Sequence, residues 1–82
     1  MPNPLHNYNY VVFRTMLVVA REESGLTQVD VAARLGKPQS YVSKYERGER
    51  RLDFVEFIAL SQTLGIAPEA FLRKFMAATE RK

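Results

Sequence analysis

Leu26 to Gly48 reads LTQVDVAARLGKPQSYVSKYERG, and its spacing predicts two short helices about a tight turn. Thr27 can accept from the free N–H groups of a first turn, and Asp30 stands at the reciprocal capping-box position. Leu26 can staple onto Val31, and Val31, Ala32 and Leu35 make the buried stripe of this helix. Gly36 suits a left-handed helix end, after which Lys37-Pro38 begins a second helix, because proline tolerates a first turn whose N–H groups are unpaired. That helix buries Val42 and Tyr45 and stops at Gly48. Its other face carries Gln39, Ser40, Ser43 and Lys44, which can donate to or accept from base edges and phosphates but have little reason to line a core.

Around this stretch the composition narrows the possibilities. Eighty-two residues make one small domain, near the lower size at which a single core suffices. With no cysteine, neither a disulfide framework nor a thiolate metal site is available. The longest uninterrupted apolar run, Met16 to Ala20, is too short to cross a bilayer, and the uncharged start Met1-Pro2-Asn3-Pro4 lacks the basic region of a signal peptide, so the cytoplasm is the expected compartment. The net charge of +3 is mild. Its placement says more: Arg34, Lys37, Lys44, Arg47, Arg50 and Arg51 fall within one short stretch, opposed there only by Glu46 and Glu49. A cation cluster beside a polar helix face points toward phosphate.

Upstream, Met1 to Asn9 holds two prolines and three asparagines before any periodic pattern, and is expected to be a flexible arm. It has no lysine or arginine, which argues against a minor-groove reader. His6 has no ligating neighbour in sequence and reads as a solvated side chain. From about Tyr10 to Glu23 a helix is expected, with Phe13, Leu17 and Ala20 on its buried stripe. Val11, Val12, Met16, Val18 and Val19 spread apolar surface further around it, implying a second contact surface. Downstream, Asp53 and Glu56 make another capping-box start, and Phe57, Leu60, Leu64 and Ile66 supply the buried side of a fourth helix closed by Gly65. Pro68 opens a fifth, with Glu69 in its first turn and Phe71, Leu72, Phe75 and Met76 on its apolar face. The domain is expected over residues 10–78, with a frayed tail at 79–82.

These residues resemble the phage-repressor or Cro-type helix-turn-helix domains, also called XRE-like. The pattern is Gly25-Leu26-Thr27-Gln28, then Ala32, Leu35-Gly36, Gln39-Ser40-Tyr41-Val42-Ser43-Lys44-Tyr45-Glu46-Arg47-Gly48 and Leu64-Gly65-Ile66. It spans about residues 13 to 72. The resemblance implies an all-α, lambda-repressor-like domain of five helices whose third enters the major groove. Gln39, Ser40, Ser43 and Lys44 would face base edges, and Thr27, Gln28, Lys37, Tyr41, Arg47, Arg50 and Arg51 would meet the phosphate backbone. It also implies a structural ion pair between Arg21 and Glu46. Three departures from the family pattern stand out: Pro38 replaces the Ser or Thr that usually caps helix 3, Ala67 occupies the usual cap position of helix 5, and Val18 and Val19 stand where charge is usual.

The function expected is a sequence-specific double-stranded DNA-binding regulator of transcription, a homodimeric repressor or autoregulator on an inverted repeat. One recognition helix covers too few base pairs to discriminate within a genome. The expected dimer interface is Phe75 and Met76, joined by Val18 and Val19. Such a profile suits a small bacterial or phage-encoded repressor needing no cofactor or metal. The rival expectation is an antitoxin-like module that binds a partner, such as a toxin or polymerase, through apolar surface of helices 1 and 5. An enzyme finds no support: there is one histidine, no phosphate-cradling glycine loop, and Glu22-Glu23 lie on different sides of a helix.

Overall fold

The computed structural model describes residues 4–80, with side chains from residue 8 onward. Five helices follow one another: α1 Pro4–Glu23, α2 Gln28–Leu35, α3 Gln39–Arg47, α4 Phe54–Leu64 and α5 Pro68–Thr79. Among the described residues there is no strand, and no single helix is long and apolar enough to cross a membrane. The expected arm and tail lie in part outside the described residues, at 1–3 and 81–82, as does the side chain of His6.

Within the described part, the arm reading needs correction. Residues 4–9 are not an arm but the first turns of α1, which begins at Pro4 rather than near Tyr10. Pro4 suits a first helical position, and the asparagines that suggested irregular chain carry only a weak penalty inside a helix. The following turn is tied to the rest of the fold: the Tyr10 hydroxyl accepts the Leu52 N–H at 3.1 Å, and its ring lies 5.4 Å from that of Phe13 on the same helix.

The boundaries of the central stretch follow from its caps. Thr27 Oγ1 accepts the Asp30 N–H at 3.0 Å while the Thr27 N–H donates to Asp30 Oδ2 at 2.9 Å. The Thr27 N–H, followed by the Thr27 side chain, lowers the Asp30 carboxyl below its ordinary range. Asp53 and Glu56 repeat the device at α4, at 2.7 and 2.9 Å. Pro38 stands at the N-cap of α3 rather than in its first turn, and neither it nor Ala67 before α5 supplies a side-chain cap.

Leu17, Val31, Val42, Tyr45 and Leu60 are completely enclosed at the centre, with Phe57, Leu64 and Phe71 around them. Ser61 is also fully buried, its hydroxyl donating to the Phe57 carbonyl at 2.9 Å. Phe13 bridges α1 to the C-terminal pair, its ring 5.7 Å from Phe57 and 5.9 Å from Phe71. The apolar face expected for α5 divides: Phe71 is buried and Phe75 packs on the core, whereas Leu72 and Met76 are exposed. The turn between α4 and α5 is sharp, at 113°, so α5 folds back over α1 instead of extending α4.

The connection from α3 to α4 is braced from both ends. Gly48 adopts φ +82, and a Cβ there would sit 2.8 Å from Arg14 Nε. Arg50 then forks onto Glu56, Nη1 to Oε1 at 3.1 Å and Nη2 to Oε2 at 2.8 Å, and donates to the Arg51 carbonyl at 2.9 Å. Arg50, followed by the Asp53 N–H, lowers the Glu56 carboxyl from 4.5 to about 2.

Two outcomes are expected. Gly48→Ala should destabilise by about 1 kcal/mol or more, from left-handed strain and displacement of Arg14. Gly25→Ala, also at positive φ but with open space around it, should cost less; equal losses in urea unfolding would exclude the Arg14 contact as a cause. Because the folded Glu56 carboxyl is depressed, its contribution is fully present above pH 4.5 and is lost as pH falls toward about 2. The gap in urea midpoint between wild type and Glu56→Gln should therefore narrow across that window, and a constant gap would rule out the carboxylate charge as its origin.

Candidate nucleic-acid interface

Helix α3 is anchored on one side and bare on the other. Val42 and Tyr45 are fully buried beneath it, and burial pushes the Tyr45 phenol well above its ordinary pKa. Glu46, a carboxylate only 8% exposed, sits with them. Arg21 of α1 meets it with Nε to Oε2 at 2.7 Å and Nη2 to Oε1 at 3.2 Å. The same Oε1 accepts from Gln28 Nε2 at 2.8 Å, and Arg21 Nη1 donates to the Leu26 carbonyl at 2.9 Å. The hydrogen bond to Glu46, opposed by burial, raises the Arg21 pKa. Arg14 completes the bracket, donating through Nη1 to the Glu46 carbonyl at 2.8 Å. One glutamate thus ties α3 to α1 and to the start of α2.

On the bare side, Gln39, Ser40 and Lys44 are exposed and Ser43 is half-buried. Gln39 Nε2 donates to Gln28 Oε1 at 3.3 Å, so Gln28 touches both the buried glutamate and the first residue of α3. Ser43 Oγ accepts from Arg47 Nη1. With its oxygen so engaged, the hydroxyl hydrogen remains to donate outward.

The residues assigned to phosphate divide by their surroundings. Thr27 uses its oxygen on the α2 cap. Arg47 holds Glu49 in a two-bond fork at 3.0 Å each, lowering the Glu49 carboxyl and raising its own pKa. Both side chains are more than half exposed, so water and salt screen the pair and an anion can exchange with Glu49. Arg50 is held more closely by Glu56 and lies 4.7 Å from the Tyr41 ring centroid. Tyr41 carries Lys37 at 5.3 Å and packs edge-on to Tyr45 at 5.8 Å. Burial chiefly, and the nearby Glu56 charge, raise its phenol pKa. Arg51 is exposed, with its guanidinium 4.4 Å from the Tyr10 ring.

The structure does not bring the four expected dimer residues together. Val19 lines a groove between α1 and α5 with Met16, Ala70 and Lys74, whereas Phe75 lines a second groove beside Leu72. Val18 is half-buried and lines neither. Sequence reasoning missed Arg14, Tyr10 and the Arg50–Glu56 fork. A signal existed for Arg14: it and Arg21 are two helical turns apart on either side of buried Leu17, a basic pair on an otherwise apolar face.

Replacing Arg21 with Met should cost about 3 kcal/mol, because it leaves a buried carboxylate without its cation. Replacing Arg21 with Met and Glu46 with Leu together should recover much of that loss in urea unfolding. A double variant as unstable as the sum of its singles would rule out ionic coupling as the origin.

Comparison with known proteins places this arrangement. The helix-turn-helix family HTH_3 matches residues 19–71, a span from the last turns of α1 to Phe71. An uncharacterized HTH-type transcriptional regulator of Sinorhizobium fredii, y4dJ, is 45% identical over 47 residues, covering 57% of this chain and 61% of that protein. An XRE-family like protein from Pseudomonas syringae pv. tomato has a solved structure that superposes with a TM-score of 0.88 at 45% identity, covering 94% of each chain. The capped α2–α3 pair about Gly36, its anchor at Glu46 and this match over most of the domain establish that the chain belongs to the XRE family of helix-turn-helix proteins.

Proposed function

We propose that the chain is a sequence-specific regulator of transcription that binds double-stranded DNA, acting as a homodimeric repressor or autoregulator on an inverted-repeat operator. The observation that carries this reading is the division of α3: one side is locked into the core through Val42, Tyr45 and Glu46, while the opposite side presents Gln39, Ser40 and Lys44 to solvent beside exposed cations. A helix held that rigidly can offer its outer side chains to a major groove without losing much freedom on binding. Gln39 can bridge adenine N6 and N7, Lys44 can reach guanine O6 or N7, and Ser43 can donate to a base acceptor. On this reading Arg47 and Arg51 meet flanking phosphates, as do Thr27, Gln28 and Lys37. Arg50 acts first as a brace, since reaching a phosphate requires it to leave Glu56.

A second reading, capture of a partner protein through α1 and α5, draws support from the exposure of Val11, Val19, Leu72 and Met76. A folded protein that selects no sequence from a randomised duplex library would favour it over the first.

On a selected operator, Lys44→Ala should cost about 1–3 kcal/mol and relax preference at one base pair. Arg51→Ala should weaken all sequences alike and reduce the slope of log K against log salt by about one unit. Arg50→Ala should change the slope less. An unchanged slope for Arg51→Ala would remove that side chain from the interface.

A further inference from the structure

We infer that Tyr10 of α1 is a positioning residue for the phosphate contact of Arg51; this rests on the DNA-binding reading above and adds to it a residue outside the helix-turn-helix pair. Two contacts carry it. The Tyr10 hydroxyl accepts the Leu52 N–H at 3.1 Å, which fixes the backbone directly after Arg51. The Arg51 guanidinium lies over the same ring, 4.4 Å from its centroid, where the negative face of the ring attracts a cation. One side chain thereby holds both the main chain of the loop and the cation that projects from it.

Helical spacing makes this contact the end of a series. Tyr10, Arg14, Leu17 and Arg21 follow one another along a single face of α1. Arg21 takes the Glu46 carboxylate. One pair of turns earlier, Arg14 takes the Glu46 carbonyl and lies against Gly48. Tyr10 then takes the loop that leads to α4. The first two supports end on buried or backbone groups of α3, whereas the third ends on a cation exposed to solvent. Neighbouring Arg50 supplies the contrast: Glu56 holds it through a carboxylate, which a phosphate has to displace. An aromatic face attracts a guanidinium without competing with a phosphate for the role of anion, so Arg51 can keep Tyr10 while it meets DNA. A long side chain already steadied in the free protein loses less freedom on binding, an advantage of about threefold to tenfold in affinity.

The test is the affinity of the full chain for a mixed-sequence DNA duplex at low salt, read by fluorescence anisotropy well below the unfolding midpoint of every variant. Tyr10→Leu should weaken binding about threefold to tenfold. Tyr10→Phe, which keeps the ring beneath Arg51, should bind within about twofold of wild type. In the Arg51→Ala background Tyr10→Leu should weaken binding no further, whereas in the Arg47→Ala background it should keep its full effect. A loss that is the same with and without Arg51 would overturn the role of Tyr10 and leave the DNA-binding reading standing. So would a Tyr10→Phe variant as weak as Tyr10→Leu, or a Tyr10→Leu effect that vanishes equally with Arg47. An Arg51→Ala variant that binds like wild type would remove Arg51 from the interface and Tyr10 with it. A folded wild-type chain that binds neither this duplex nor any selected from a randomised library would overturn the DNA-binding reading itself.

Discussion

The domain depends on one buried carboxylate. Glu46 lies among apolar side chains, where an unpaired charge would be costly, and it is matched by a two-bond contact from Arg21 and a third hydrogen bond from Gln28. Each partner comes from a different helix, so satisfying this charge sets the position of α3 relative to both α1 and α2. The apolar contacts of Val42 and Tyr45 supply most of the attraction, but they are tolerant of small rotations. Fixed hydrogen-bond directions are not, and they decide which side of α3 faces solvent. The link from Glu46 through Gln28 to Gln39 carries this constraint from the core to the first residue of the exposed face.

Around Gly48 the surface charge is organised rather than free. Arg47 and Arg50 each hold a carboxylate, so the positive field is moderated in the unbound chain. The two pairs differ in consequence. Arg47 and Glu49 are both open to water, and exchange for another anion is easy. Arg50 is stacked at Tyr41 and locked to a Glu56 that also closes the α4 cap, so its removal disturbs the loop itself. Cations close together in sequence thereby acquire different physical roles.

Much of the fold was legible in the chain. Thr27 with Asp30, and Asp53 with Glu56, marked helix starts because a capping box needs only residues within one turn of each other. Gly36, Gly48 and Gly65 marked helix ends for an equally local reason, and all three take positive φ. The error at the N-terminus had the opposite origin. Local preference read residues 4–9 as irregular, whereas the helix runs from Pro4 into Tyr10, whose partner Leu52 is far away in sequence. The division of the α5 face, with Phe71 inside and Met76 outside, was equally invisible, because periodicity identifies an apolar side without saying how much of it a neighbour covers.

The sequence by itself determined the five helices, the turn between α2 and α3, and the polar character of one face of α3. These depend on capping chemistry and hydrophobic period, which act over a few residues. Only the tertiary structure decided that Glu46 collects Arg21, Gln28 and Arg14, that Arg50 is a brace, that Val19 and Phe75 line separate grooves, and that the exposed Phe54 is one wall of the groove that holds Phe75. Those outcomes depend on distances between helices remote in sequence, and such distances are set by the packing of whole faces and the satisfaction of buried charge.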